Sequence, residues 1–357
     1  MKIGIFDPYL NDLGGGEKYM MTIAECLSDK HEVFVFWDNK EDVDELKNRF
    51  SLNLDKVALV KNIFSPKVSQ LKRFFETRKY DAIIFLSDGS FPFSLSKKLF
   101  VHLQQPLEGI NASSWKDTVK LRRITKVFYN SEYTKSFNDK RLPGISDVVI
   151  YPPVKLLAKN ITKDNLILHV GRFRVKNVGV EDYKKQGTMI GAFKKMIDEG
   201  LKDWKFVIAA SVKKEDEGKF SQLREIAHGY PIEFLVNKSN DELWNTYNKA
   251  KIYWHASGFG EDLQKHPEFA EHFGISTVEA MGAGAIPVVI NQGGQKEIVT
   301  EGRNGFLWNT ITELQVKTKK LINNEKFLND MADEARIRAK DFSKEKFCQK
   351  IKQLVEE

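Results

Sequence analysis

Short runs rich in β-branched and aromatic residues alternate with helical patterns along the whole chain, which is the sequence signature of parallel sheets with helical crossovers. Two sets of runs separate. The first collects Lys2 to Phe6, Glu32 to Trp37, Ala82 to Leu86, Leu99 to Leu103, Lys126 to Tyr129 and Val148 to Tyr151. The second collects Leu166 to Val170, Phe206 to Ala210, Ile232 to Val236, Ile252 to His255, Pro287 to Ile290 and Gly305 to Trp308. Between them stands Tyr151-Pro152-Pro153-Val154, where paired prolines fix φ and bar a helix. The chain therefore reads as two α/β domains, 1–153 and 154–342. Its 357 residues agree, because single cores stop growing at about 250 to 300 residues. A last helix over 343–357, with Ser343 as N-cap candidate and Phe347, Ile351 and Leu354 on one face, is expected to pack back on the first domain.

Cys26 and Cys348 stand in no CxxC or Cys/His spacing, so neither a disulfide framework nor a zinc site is expected and a reducing cytoplasm fits. No run approaches 18 apolar residues, and the apolar stretch after Met1 is too short for a secretory leader. The net charge of +7 is unevenly placed: Lys56 to Lys126 holds 14 Lys/Arg against five acids. Such a surplus suits nucleic acid, an anionic membrane or a phosphate-rich substrate. Within it, the Lys67 to Lys79 segment places Val68, Leu71, Phe74 and Phe75 on one helical face with cations opposite. The segment matches no nucleic-acid module, so no nucleic-acid partner is expected. A docked helix with a solvated basic face is the preferred reading, and peripheral contact with an anionic membrane is the alternative.

Walker, GxSxG and HExxH motifs are absent. Asp42-Val43-Asp44 has the spacing of a metal clamp but lies in a charged segment that reads as an exposed helix, so no metal and no other cofactor is expected.

The densest constellation is Glu271-His272-Phe273-Gly274-Ile275-Ser276-Thr277-Val278-Glu279-Ala280-Met281-Gly282-Ala283-Gly284, a loop that enters a helix and stops at glycine. A helix start presents N–H groups that the helix itself does not use, so Gly274, Ile275 and Ser276 make a seat for a diphosphate. Glu271 and Glu279 flank that seat, and carboxylates suit the vicinal hydroxyls of a sugar or ribose. Ser276-x-x-Glu279 also has the form of a capping box, which would make Glu279 a structural residue.

Two glutamates separated by seven residues within this pattern resemble the donor-site signature of glycosyltransferase family four, retaining enzymes of the GT-B fold. Weaker motifs follow in the family's order over most of the chain. Asp12-Leu13-Gly14-Gly15-Gly16-Glu17 opens a helix after the first strand, and the resemblance puts Gly15 and Gly16 near the donor phosphates. His102 ends the strand Leu99 to Leu103 at the position of a cleft histidine that touches donor or acceptor. Arg172, after His169-Val170-Gly171, and a following lysine bind the leaving diphosphate in the family. Lys184 and Lys185 have the right spacing to the Ala192-Phe193 helix, whereas Lys176 has near-family spacing from Arg172; the first two are preferred. Gly258-Phe259-Gly260-Glu261-Asp262-Leu263-Gln264-Lys265-His266 lengthens the loop before Glu271, and its acids and His266 are read as surface-loop caps rather than sugar contacts. Asn291-Gln292-Gly293-Gly294 is read as a rigid turn.

The resemblance implies a GT-B protein with two facing Rossmann-like, doubly wound parallel sheets and an interdomain cleft. It implies a metal-independent, retaining hexosyltransferase that moves a sugar from a UDP- or GDP-sugar to a glycan or lipid-linked acceptor, in the cytoplasm at the inner face of the membrane. The Glu271-His272-Phe273-Gly274-Ile275 pattern is reminiscent of mannosyltransferases. Expected catalytic groups are Glu271, Arg172, Lys185 and His102. Donor-binding groups are Gly15, Gly16, Arg172, Lys184, Lys185, Glu271, Phe273, Gly274, Ile275, Ser276 and Glu279. Another GT-B enzyme, such as a sugar-nucleotide epimerase or a phosphorylase, and a catalytically silent sugar-nucleotide-binding or membrane-associated scaffold are the competing readings.

Overall fold

Strands that are apolar at every position need cover on both faces, as in parallel sheets flanked by helices. Ala82–Leu86 and Ile286–Ile290 are buried throughout. The computed structural model describes residues 1–12, 14–107, 115–159, 161–174 and 182–357. The chain divides into two compact units, residues 1–153 with 344–357, and residues 154–343.

Unit 1 runs β1 (Lys2–Phe6), α1 (Gly15–Leu27), β2 (Glu32–Phe36), α2 (Lys40–Phe50), β3 (Val57–Val60), α3 (Gln70–Thr77), β4 (Ala82–Leu86), β5 (Lys98–Leu103), α4 (Trp115–Leu121), β6 (Lys126–Tyr129), α5 (Glu132–Asn138) and β7 (Asp147–Val149). Its sheet has the order β3-β2-β1-β4-β5-β6-β7, with every pair parallel. The strand β3 has no counterpart in the sequence reading. It is a four-residue edge strand without a fully buried residue, so it lacks the apolar run that marks the inner strands. The segment Asp42-Val43-Asp44 lies in helix α2, as its charge pattern predicts.

Unit 2 runs β8 (Asp164–Phe173), α6 (Gln186–Asp198), β9 (Lys205–Val212), α7 (Glu217–Ala227), β10 (Ile232–Val236), α8 (Asn240–Lys249), β11 (Ala250–His255), α9 (Ile275–Gly282), β12 (Ile286–Ile290), α10 (Gln295–Ile298), β13 (Phe306–Trp308), α11 (Ile311–Ile322) and α12 (Glu325–Ala339). The sheet order is β10-β9-β8-β11-β12-β13, again all parallel. Phe193, Phe206, Trp254 and Trp308 fill its core, and the Trp254 indole donates to Thr318 Oγ1 at 3.0 Å. Lys163 Nζ donates to the carbonyls of Asn248, Ala250 and Ala283 at 3.1, 2.7 and 2.9 Å, tying together the C-terminal ends of α8 and α9. These two helices carry residues of the site described below.

The last helix, α13 (Lys344–Glu356), belongs to unit 1. Phe347, Ile351, Leu354 and Val355 join the core of β1, β2 and α1. Cys348 of α13 is disulfide-bonded to Cys26 of α1, across a sequence separation of 322 residues. The expectation of no disulfide is thus corrected. Spacing motifs report cysteines close in sequence, and these two meet only because α13 lies against α1.

Helix α3 also departs from expectation. Its docked stripe carries Arg73, Phe74 and Thr77: the Arg73 guanidinium donates to the carbonyls of Ile63, Phe64 and Ser65, Phe74 stacks on Phe93 at 5.2 Å, and Thr77 is buried. Leu71 and Phe75, one turn apart on a different stripe, are 75% and 63% exposed. The apolar face is split, and one of the cations expected outside is turned in.

Candidate functional site

In a doubly wound parallel sheet, ligands gather beyond the carboxyl ends of the strands where the winding reverses. In unit 2 that point lies between β8 and β11, since β8 has β9 on one side and β11 on the other. Arg172 is the penultimate residue of β8 and His255 the last of β11. Arg172 is exposed, and its guanidinium makes no hydrogen bond or ion pair among the described residues. Arg174, in contrast, turns back onto the carbonyls of Phe173 and Ser211.

The loop after β11 leads into α9. Gly274 is the N-cap with φ 121°, a conformation glycine adopts freely, and no side chain caps the helix. The capping-box reading of Ser276 and Glu279 is thereby corrected. The helix begins one residue before Ser276, so both side chains lie inside it and point elsewhere. The Tyr253 hydroxyl donates to Ser276 Oγ at 2.7 Å, and the Tyr247 hydroxyl of α8 donates to Glu279 Oε2 at 3.0 Å. Gln295, fully buried and with neither carboxamide atom hydrogen-bonded, lies against Gly274, where an added Cβ would come within 2.8 Å of its Nε2.

Glu271 Oε2 accepts from Lys184 Nζ at 2.7 Å and from His255 Nε2 at 3.0 Å. Burial alone would raise the Glu271 pKa, but Lys184 and His255 reverse this and hold it well below the usual carboxylate range. Burial would lower that of Lys184, and Glu271 instead raises it. His255 itself is pushed down by burial against the pull of Glu271. The ammonium of Lys184 also lies 4.6 Å from the centre of the Tyr183 ring. Asp182 accepts from the N–H groups of Gln186 and Gly187 at 2.6 and 2.8 Å, so it closes the start of α6 and fixes the lysines ahead of it. Lys185 is in the left-handed region with φ 55° and pairs with Glu261.

The turn after β12 supports the Glu271 loop from beneath. Gly294 N–H donates to the Glu271 carbonyl at 2.8 Å, and a Cβ on Gly294 would stand 2.4 Å from Phe273 Cα. The rigid turn expected at Asn291 to Gly294 is a buttress for the loop.

The expected residues divide as follows. Lys184 and Glu271 are in direct contact; Arg172 is near enough to act electrostatically on Lys184; Gly274, Ile275, Ser276 and Glu279 form the helix start. Lys176 lies outside the described residues. Phe273 is buried, with its ring 5.3 Å from that of Phe342, so it anchors the loop. In unit 1, Gly15 and Gly16 begin α1, and Gly16 faces the Gln104 carboxamide. His102 has no exposed surface, because its ring is sandwiched between Tyr19 at 4.3 Å and Phe128 at 4.6 Å. Its Nδ1 faces the Phe128 carbonyl at 3.1 Å, and burial pushes its pKa down to about 3. Its Nε2 is buried without a hydrogen-bond partner.

His255, Tyr247 and Tyr253 stand outside the residues expected at the site, and Glu261, read as a surface-loop cap, is instead the ion-pair partner of Lys185. A histidine at a carboxyl strand end was the one available signal. The tyrosines reach the site from residues whose backbones serve other purposes, and Glu261 is brought to Lys185 by a loop whose course the sequence does not give. Elsewhere in that loop the surface-cap reading describes the contacts: Asp262 accepts from Gln264 N–H at 3.2 Å, and His266 pairs with Glu268 at 3.2 Å.

The family described as glycosyl transferases group 1 matches residues 158–338. The GDP-Man:Man(3)GlcNAc(2)-PP-Dol alpha-1,2-mannosyltransferase of Dictyostelium discoideum is 23% identical over 97% of this chain and 83% of its own length. The GalNAc-alpha-(1->4)-GalNAc-alpha-(1->3)-diNAcBac-PP-undecaprenol alpha-1,4-N-acetyl-D-galactosaminyltransferase of Campylobacter jejuni is 25% identical over 96% of this chain and 94% of its own. Among solved structures, Anabaena Alr3699/HepE in complex with UDP covers 100% of both chains with a TM-score of 0.73 and 18% identity, a likeness of fold.

Proposed function

As a member of the glycosyl transferases group 1 family the chain is a glycosyltransferase with the GT-B fold, and we propose that unit 2 binds a UDP- or GDP-sugar, with mannose as the sugar, for transfer to a lipid-linked glycan. The observation that carries this is the convergence of Glu271, Glu279, Lys184 and the start of α9 at the mouth of one parallel sheet. The relatives support the chemistry: one is named for GDP-mannose, two are named for acceptors on polyprenyl diphosphates, and the fold neighbour holds UDP.

In the proposed reaction the bond between the anomeric carbon and the diphosphate oxygen breaks, and a bond from that carbon to an acceptor hydroxyl oxygen forms. The hydroxyl proton leaves with the diphosphate or to solvent. Negative charge grows on the departing oxygen, and Arg172, Lys185 and the N–H groups of Gly274 to Ser276 meet it. Those groups do the work that a metal does in other transferases, so no cofactor is required. Glu271 orients donor hydroxyls and Glu279 the ribose. Retention of configuration rests on the family resemblance.

Unit 1 would receive the acceptor. No helix among the described residues is long and apolar enough to cross a membrane. Peripheral contact with an anionic membrane through the Lys67 to Lys79 segment belongs to the proposal, supported by the exposure of Leu71 and Phe75 beside Lys67, Lys72, Arg78 and Lys79. So does a place at the inner face of the membrane. The Cys26–Cys348 bond is the observation against that place, because reducing compartments keep thiols open.

A thermal-shift screen of nucleotide-sugars followed by product analysis tests the activity. One UDP- or GDP-sugar should raise the melting temperature and be consumed, with EDTA without effect. Indifference to every donor contradicts the proposal.

A further inference from the structure

The lengthened loop after β11 is built to deliver one side chain. Gly258 and Gly260 take left-handed conformations with φ 92° and 78°, which L side chains adopt only with strain. Between them Phe259 packs its ring 5.3 Å from Trp308, anchoring the turn in the core of unit 2. Glu261 N–H then donates to the Gly258 carbonyl at 3.1 Å, and the Glu261 carboxylate lands on Lys185 Nζ.

Lys185 and Lys184 are adjacent in sequence, yet they are held differently. Lys184 is committed: its acceptor Glu271 is shared with His255, and the Tyr183 ring covers it. Lys185 has Glu261 as its ion-pair partner, with the two side chains 16% and 20% exposed. A backbone at φ 55° holds it at the start of α6, kept there by the bond from its own N–H to the Asp182 carbonyl at 2.7 Å. An ammonium has three donors, so contact with one carboxylate leaves capacity for another anion. A diphosphate arriving there meets the Glu261 carboxylate as a like charge, and one cation does not neutralise both.

We propose that Glu261 is a resting counter-ion, which Lys185 exchanges for the donor's diphosphate and to which it returns as the nucleoside diphosphate departs. The inference rests on the reading that Lys185 meets the diphosphate. Glu261 is then a positioning residue that weakens the hold on the product, and the loop sets the rate of product release.

Calorimetric titration of UDP and GDP into the full chain, with Glu261→Gln, Glu261→Asp and Lys185→Met variants and melting temperatures alongside, tests it. Glu261→Gln should tighten whichever nucleoside diphosphate binds by about two- to fivefold, the range of a partly exposed charge pair. It should lower the product-inhibition constant to match, while Glu261→Asp, which keeps the charge, stays near wild type. A folded Glu261→Gln variant with unchanged or weaker affinity overturns the proposal, because a merely structural contact would give that result. Lys185→Met should weaken binding; if it does not, the donor-site reading itself fails, whatever Glu261 does.

Discussion

Lys184 Nζ and Glu271 Oε2 stand 2.7 Å apart, and the same carboxylate oxygen accepts from His255. Removing one partner of a fully buried pair costs about 3–5 kcal/mol, because the other charge is left without a counter-ion. With the two side chains 14% and 21% exposed, a loss of about 1–3 kcal/mol is expected for Lys184→Met. Adding Glu271→Gln should restore part of that stability in denaturant titrations without restoring transfer. A Lys184→Met protein as stable as wild type would show that the pair carries no such weight. The lowered Glu271 pKa places its contribution above the ordinary carboxylate value of 4.5, lost only as pH falls toward the lowered one. The raised Lys184 pKa places its own below 10.5. The pair's contribution to folding stability is therefore constant through the neutral range.

Gly294 tests the support of the Glu271 loop. Its φ is −67°, so alanine is conformationally acceptable and the objection is steric: a Cβ would stand 2.4 Å from Phe273 Cα and 2.5 Å from the His272 carbonyl oxygen. Both are backbone and cannot swing aside. Gly294→Ala should lower stability by roughly 1–3 kcal/mol and donor affinity with it. Unchanged donor affinity in a calorimetric titration would show that the loop does not depend on the turn.

Asp7 follows β1 and is fully buried, with Oδ1 accepting from Tyr9 N–H at 2.8 Å and Oδ2 without a hydrogen-bond partner. Burial raises its pKa to about 8, so the folded protein holds a neutral carboxyl where the unfolded chain, with a value near 3.8, is ionised. A pKa raised on folding gives stability that is complete below 3.8 and declines as pH rises toward 8. Asp7→Asn should therefore melt higher than wild type at about pH 8 and differ little near pH 4. Equal melting temperatures at the higher pH would show Asp7 to be ionised in the fold.

Most of both sheets was legible because inner parallel strands are continuous apolar runs, as in β4 and β12. The edge strand β3 was not, since one covered face asks less of its side chains. At the site, the spacing of Glu271 and Glu279 was legible, but the partners that aim them were not. Ser276 and Glu279 fit a capping box by spacing, and only the start of α9 at Ile275 shows that they face Tyr253 and Tyr247 instead. His102 has the sequence position of a cleft group, but its stacking between Tyr19 and Phe128 is not legible in the sequence. The Cys26–Cys348 bond depends on the return of α13 to unit 1, a contact between chain ends that no local pattern encodes.

The exposed stripe of α3 gives the membrane part of the proposal its test. Leu71 and Phe75 should insert among head groups while neighbouring cations, each contributing about 1 kcal/mol, meet anionic lipid. In liposome flotation the protein should rise with phosphatidylserine vesicles at low salt, less so at high salt, and a Leu71→Glu, Phe75→Glu variant should stay behind. Equal behaviour of wild type and variant would remove α3 from the account.

The central claim is that charge developing on a departing diphosphate is met at the mouth of the second sheet, where Arg172 is the exposed cation at the end of β8. Transfer kinetics of Arg172→Ala test this most directly. The variant should melt with wild type, because the guanidinium supports no other described residue, and should lose on the order of 100-fold or more in kcat/KM. A folded Arg172→Ala protein that transfers sugar at the wild-type rate would contradict the account.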